Sequence, residues 1–205
     1  MSAPASLDFA SGNLGKIREV AGIFADLEIT VIPQRELGIE SPEETGTTFV
    51  DNAVLKARYA ASRSGMLAMA DDSGIMVDAL AGRPGVWSAR YAGARATDEE
   101  NVDKLLTELA DVPEEQRGGG FHCAAVLVDP DLAVMPLIAE AVWRGRILLQ
   151  RVGDGGFGYD PVFLDTSAGK TGAEMTREEK NRVSHRGRAF RGLKTLLLQR
   201  QSLGR

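Results

Sequence analysis

Two adjacent acids, Asp71 and Asp72, interrupt an apolar stretch that reads "MLAMADDSGIMV" over residues 66–77. Carboxylates abutting a buried strand are unfavourable unless something compensates them. Hard divalent cations take carboxylate oxygens, and Mg²⁺ usually takes one or two of them beside phosphate oxygens and water. In α/β sheets, ligands gather beyond the carboxyl ends of strands. A strand over 66–70 that ends in Asp71 and Asp72 therefore reads as a place for a cation and a phosphorylated ligand. A structural ion pair is the plainer alternative. Gly74 would let the chain turn away after the acids.

Four further stretches have residue types that could serve such a ligand. "SGNLGK" (11–16) lies between an expected strand and an expected helix. Small residues there admit a ligand close to the backbone, helix-start amides favour an anion, and Lys16 adds charge. It lacks the Walker spacing, and an ordinary helix start capped by Asn13 explains it equally. "SPEETGTTF" (41–49) places Glu43 and Glu44 before a helix, where acids are commonly partners of the helix dipole. Lys56 lies on that helix, where a solvated lysine is the plain alternative. "GDGGFGYD" (153–160) matches G-x-G-x-x-G in form. Asp160-Pro161 stops any helix from following, so a dinucleotide fold is excluded. The loop either offers Phe157 and Tyr159 to a flat ligand or buries them in a core. "EEKNRVSHRGRAF" (178–190) offers Lys180, His185 and Arg186 near a helix start, or simply a solvated charged face. His122, the other histidine, alternates within an apolar strand and reads as structural.

The elements that must hold these residues follow from hydrophobic period. Strands are expected at 6–11, 28–32 and 66–70, and helices over 13–25 and after Thr48. Thr48 with Asp51, Thr97 with Glu100, and Thr176 with Glu179 read as helix starts. Segments 120–129 and 133–147 flank "PDL" and read as a long hairpin. A short strand is expected to follow the 153–163 loop. A last helix from about Ser184 would bury Phe190, Leu193, Leu196 and Leu197. Helical and strand periods alternate early, and the hairpin comes late. The fold class is therefore α/β with a mixed sheet.

Composition narrows the function. The 205 residues are 43% hydrophobic and 26% charged, enough for one globular domain with a sizeable core. Net charge is −5, against a broad basic nucleic-acid surface. One cysteine, Cys123, forms no disulfide framework and no thiolate zinc site. No apolar run reaches the roughly 20 residues that span a bilayer. The start of the chain does not read as a signal peptide, so the cytoplasm is the expected location.

Together, "SGNLGKIRE", "EETGTTFVDNAVLKA", "ADDSG", "PGVWSARYAG", "GFGYDPVF" and "SHRGRAF" resemble, in this order, the inosine triphosphate pyrophosphatase family. The resemblance runs nearly end to end. It implies an elongated mixed sheet with two lobes around a nucleotide-binding cleft, all within one domain over 1–205. It implies Mg²⁺-dependent hydrolysis of non-standard purine triphosphates (ITP, dITP, XTP) to monophosphate and pyrophosphate, by a homodimer. Ser11, Gly12, Asn13, Leu14, Gly15, Lys16 and Lys56 would hold phosphates. Glu43 and Asp72 would serve the metal, with Asp72 as general base and Asp71 in support. Ser73, Phe157, Gly158, Tyr159, Asp160, Lys180, His185 and Arg186 would contact the nucleotide. Ser11 stands where the family commonly has threonine, which keeps the hydroxyl.

Asp71 is expected either to hold a further cation or to raise the Asp72 pKa by like-charge repulsion. Donors from Lys180, His185 or Arg186 would suit the 6-oxo group of hypoxanthine or xanthine and oppose the 6-amino group of adenine. Guanine shares the 6-oxo group, so its rejection must act at the 2-amino group. A pyrophosphatase of the Maf type is the alternative enzyme, which the C-terminal Lys, His and Arg argue against. A nucleotide sensor without hydrolysis is the alternative of another class. A nucleic-acid module conflicts with the charge.

Overall fold

The computed structural model describes residues 5–27 and 29–203. Seven strands form one sheet in the order β2-β1-β3-β4-β5-β6-β7. The strands are β1 (Ala5–Phe9), β2 (Ile29–Pro33), β3 (Ala68–Val77), β4 (Gly118–Val128), β5 (Leu137–Ile147), β6 (Phe163–Asp165) and β7 (Lys170–Thr171). β1 runs parallel to β2 and β3, whereas β6 is antiparallel to β5 and β7. The mixed sheet expected from the sequence is present. Five helices accompany it among the described residues: α1 (Leu14–Phe24), α2 (Phe49–Ser64), α3 (Asp98–Glu108), α4 (Arg177–Val183) and α5 (His185–Leu203). Glu28, placed in the second strand by the sequence, lies outside the described residues. No described helix is long and apolar enough to cross a membrane.

The chain divides into two compact units. The first is Met1–Asp72, Cys123–Ala141 and Arg186–Arg205; the second is Ser73–His122 and Val142–His185. Strand alternation gives the first unit two cores. Leu7 and Phe9 of β1, Met69 of β3, and Cys123, Ala125 and Leu127 of β4 pack with Val20 and Phe24 of α1 and Phe190, Leu193 and Leu197 of α5. Leu196, expected beside them, is only half-buried. Phe190 meets Phe9 and Phe24 edge-on, with ring centroids 5.7 and 6.4 Å away. Residues of the opposite parity, Ala68, Ala70, Ala124 and Val126, pack with Ala53, Ala57, Ala60 and Ala61 of α2. An alanine face lets α2 lie close to the sheet. Asp8 is fully buried in β1, and burial raises its pKa against a smaller opposing effect of Ser64.

In the second unit, Val102, Leu105 and Leu109 pack with Ile75, Val77, Phe121, Trp143 and Phe163. Thr97 and Glu100 form a reciprocal capping box on α3, and Thr176 and Glu179 do the same on α4, both as expected. Arg117 is buried and closes the end of α3, donating from Nη2 to the Leu109 carbonyl at 2.6 Å and from Nε to Val112 at 2.9 Å. The Leu109 carbonyl also accepts the Val112 amide at 2.9 Å, so the guanidinium ties down the turn that follows the helix. Trp87 is exposed, with Arg90 over its ring, while Tyr91 packs against the core and donates to Glu108 at 2.7 Å.

One expectation about the acids is corrected. β3 does not end at Ala70: it runs through Asp71, Asp72, Ser73 and Gly74 to Val77. Gly74 makes no turn. A Cβ there would collide with the Gly85 carbonyl and the Ser88 hydroxyl, so glycine permits close approach within a strand. Ser88 Oγ in turn accepts the Ile75 amide at 2.9 Å.

Candidate active site

Neighbouring residues of a strand point to opposite faces. Asp71 and Asp72 consequently belong to two different charge clusters, both in the first unit.

Asp71 has the parity of Met69 and faces α1 and α5. Lys16 Nζ of α1 donates to its Oδ2 at 2.9 Å, and Arg186 Nε of α5 donates to the same oxygen at 3.3 Å. Arg186 Nη1 also donates to Glu19 Oε2 at 2.8 Å. Asp71 and Arg186 are each only 2% exposed. Burial would raise the Asp71 pKa, but Lys16, Arg186 and Lys56 hold it well below the usual carboxylate range. The Cys123 thiol lies 4.0 Å from the same oxygen, and burial pushes its pKa up, so it is no thiolate.

Asp72 has the parity of Ala70 and faces α2. Asn52 Nδ2 donates to Oδ2 at 3.1 Å, and Lys56 Nζ donates to Oδ1 at 3.2 Å. These donors lie four residues apart on one face of α2. Thr48 fixes the start of that helix by accepting the Asp51 amide at 3.1 Å. Lys56 also donates to Glu44 Oε1 at 2.5 Å, and Asn52 Oδ1 accepts the Gly46 amide at 2.7 Å. Burial raises the Asp72 pKa; Lys56 opposes this, and Glu44 adds to it. Glu44, not Asp71, is therefore the like charge that acts on Asp72. Burial alone would lower the Lys56 pKa, but Asp72, Glu44 and Asp71 more than reverse it.

The remaining first-unit residues are placed as follows. Ser11 is buried, and its Oγ accepts the Asn13 amide at 3.2 Å. Asn13 caps α1, accepting from Gly15 at 2.8 Å and Lys16 at 3.1 Å, while Gly12, Asn13 and Leu14 are exposed. Glu43 is exposed; the carboxylate brought to Lys56 is Glu44. Arg186, expected against the nucleotide, is buried against Asp71 and Glu19.

The second unit holds the other candidates. Asp160 is buried, and its Oδ2 accepts the Phe157 amide at 2.8 Å and Lys180 Nζ at 2.5 Å. A Cβ at Gly156 or Gly172 would collide with this carboxylate. Lys180 Nζ also lies 4.6 Å from the Phe157 ring centroid, a cation–π contact. The Gly158 amide donates to Asp98 Oδ2 at 2.8 Å. Tyr159 is core, not ligand surface: it is 5% exposed and donates to the Ser88 carbonyl at 2.8 Å. His185 stacks on Phe121 at 4.7 Å and 9°, and on Trp143 at 6.3 Å and 15°. Ser73 is half-buried in β3.

The model of the Ham1 family matches residues 7–196. The chain belongs to the Ham1 family. A relative from Pectobacterium atrosepticum named dITP/XTP pyrophosphatase is 53% identical over 182 residues, 89% of this chain and 92% of that protein. One of the same name from Yersinia pseudotuberculosis is 54% identical over the same shares. The solved structure of a HAM1 protein from Coxiella burnetii superposes with a TM-score of 0.88 at 44% identity, covering 95% of this chain and 99% of that one. The family resemblance and the mixed-sheet fold read from the sequence both hold.

The sequence missed four residues that the structure draws in. Glu44 was weighed but passed over for its neighbour. Asn52 had a signal in its spacing, one turn before Lys56 on a capped helix. Glu19 and Asp98 had none, because their partners lie 167 and 60 residues away.

Proposed function

We propose that this chain is a nucleoside-triphosphate pyrophosphatase that converts dITP, ITP and XTP to the monophosphate and pyrophosphate. The carrying observation is the cluster on the α2 face of β3. There a buried aspartate with a raised pKa shares a lysine with a second carboxylate, Glu44. Relatives about half identical are named dITP/XTP pyrophosphatase.

Asp72 is the general base. A base works best with a pKa near the operating pH, and burial beside Glu44 moves Asp72 in that direction. Lys56 uses two of an ammonium's three donors on Asp72 and Glu44, which leaves one for a phosphate oxygen. Lys16 uses one on Asp71, which leaves two. Ser11 and the exposed turn Gly12–Leu14 complete the phosphate-facing end of α1. Asp71 keeps Lys16 in place, and Arg186 acts through Asp71.

No group of three or more carboxylate, histidine or cysteine ligands occurs among the described residues. A caged cation is thereby disfavoured, whereas two carboxylates suit Mg²⁺ that shares the substrate's phosphate oxygens. Glu44 and Asp72 would hold it, and Glu44 replaces the Glu43 expected from the sequence. A cation held there would supply charge neutralisation for the phosphates.

The base has its own candidate residues. Phe157 stacks on the ring, a contact worth roughly 1–3 kcal/mol and blind to base identity. Lys180 and His185 supply donors to the 6-oxo group, and Asp160 sets the positions of Lys180 and the 156–158 loop. Met135 is 80% exposed and Ile138 40%, an apolar surface that a second copy can cover in the implied homodimer. A cytoplasmic location remains part of this reading.

The test is a substrate panel with Mg²⁺. kcat/KM for dITP and XTP should exceed that for dATP by at least about 100-fold, since a site built on hydrogen bonds rejects mismatched analogues strongly. Equal values would remove the 6-oxo selectivity.

A further inference from the structure

We propose that Asn52 is a positioning residue that fixes the Asp72 carboxylate and ties the Glu44 loop to it. The inference rests on Asp72 being the base. Asn52 is fully buried, and both ends of its amide are used: Nδ2 donates to Asp72 Oδ2, and Oδ1 accepts the Gly46 amide. A carboxylate can rotate about its own bond. Here its two oxygens meet two different donors of α2, Asn52 on one and Lys56 on the other, so its plane is set. Lys56 alone would leave that rotation open.

The same amide reaches into the loop before α2. Gly46 follows Glu44 by two residues, so Asn52 anchors the backbone from which Glu44 reaches Lys56. The packing is close: a Cβ at Gly46 would sit 2.6 Å from Asn52 Oδ1 and 2.7 Å from the Asp51 Cβ. Glycine there lets the loop settle onto the amide. Asn52 thus links the two carboxylates without touching substrate. A donor and an acceptor of this length are both required, which leucine, of similar size, does not offer.

The experiment compares Asn52→Asp and Asn52→Leu by steady-state kinetics with dITP, with rates expressed per folded molecule from circular dichroism. Asn52→Asp keeps the size and the acceptor for Gly46, so it guards against a Leu variant that fails to fold. Misplacing a reacting group by about 1 Å costs about 100-fold. Each folded variant should lose kcat by about that factor, with KM within about three-fold of the parent. Gly46→Ala, which pushes on the same amide, should give the same split. A kcat within two-fold of the parent in Asn52→Asp, or a loss carried by KM instead, would overturn the proposal. Asp72→Asn measured alongside keeps the two questions apart. Near-parent turnover there removes the base on which the inference rests, whatever Asn52 does.

Discussion

Asp72→Asn is expected to reduce kcat about 10³-fold or more, and to leave the fold intact. The substitution keeps shape and removes the charge and the basic oxygen. General bases contribute typically about 10²–10⁴-fold, and in the proposed reading the same group would also serve a cation. The fold should survive because Asp72 is not an electrostatic anchor. Its pKa is raised in the folded protein by burial and by Glu44, so folding disfavours its charged form. A neutral amide removes that penalty, while Lys56 keeps Glu44 as a partner. Thermal unfolding should shift by only a few degrees. Turnover near the parental rate would show that the proton acceptor lies elsewhere.

The same substitution one residue earlier should behave in the opposite way. Asp71→Asn is expected to destabilise the protein by about 3–5 kcal/mol, the usual effect of removing one partner from a buried ion pair. Arg186 is 2% exposed and would lose one of its carboxylate acceptors, and the Lys16 contact to Asp71 would go too. The pH dependence carries the sign. The folded Asp71 pKa is lowered, by Lys16 and Arg186 against burial. Its contribution is therefore fully present above the ordinary aspartate value of about 3.9 and is lost as pH falls below it. The gap in unfolding free energy between parent and variant should be largest at neutral pH and shrink in acid. Urea titrations at pH 7 and pH 3.5 read it directly. Equal stability at pH 7 would mean that the Asp71 cluster is not an anchor.

That contrast also marks what could be read from the sequence. Local features were legible. Asn13, Thr48, Thr97 and Thr176 cap helices within three residues of themselves, and each cap is present. The alternation of β4 and the alanine face of α2 gave the layers. The role of "ADDSG" was half legible. Two acids against an apolar strand signalled compensation, but the compensating charges come from Lys16, Lys56 and Arg186, as far as 115 residues away. Without them the strand seemed to stop at Ala70, and Gly74 looked like a turn. Alternation resolves both points, because one acid goes to each face and β3 continues. That Glu44 pairs with Lys56 depends on the conformation of the loop before α2, where the Gly46 amide donates to Asn52, and no spacing rule gives that conformation. For Tyr159 the residues left ligand surface and core open, and the family resemblance put both Tyr159 and Arg186 at the nucleotide; their burial depends on distant neighbours. The two-residue β7 had no periodicity to read.

The central claim is that water attacks the α-phosphorus of a non-standard purine triphosphate. Hydrolysis of dITP in heavy-oxygen water with Mg²⁺, followed by mass analysis of both products, tests it most directly. The account predicts dIMP carrying the label and unlabelled pyrophosphate. A nucleoside diphosphate with inorganic phosphate, or label in the pyrophosphate, would contradict it.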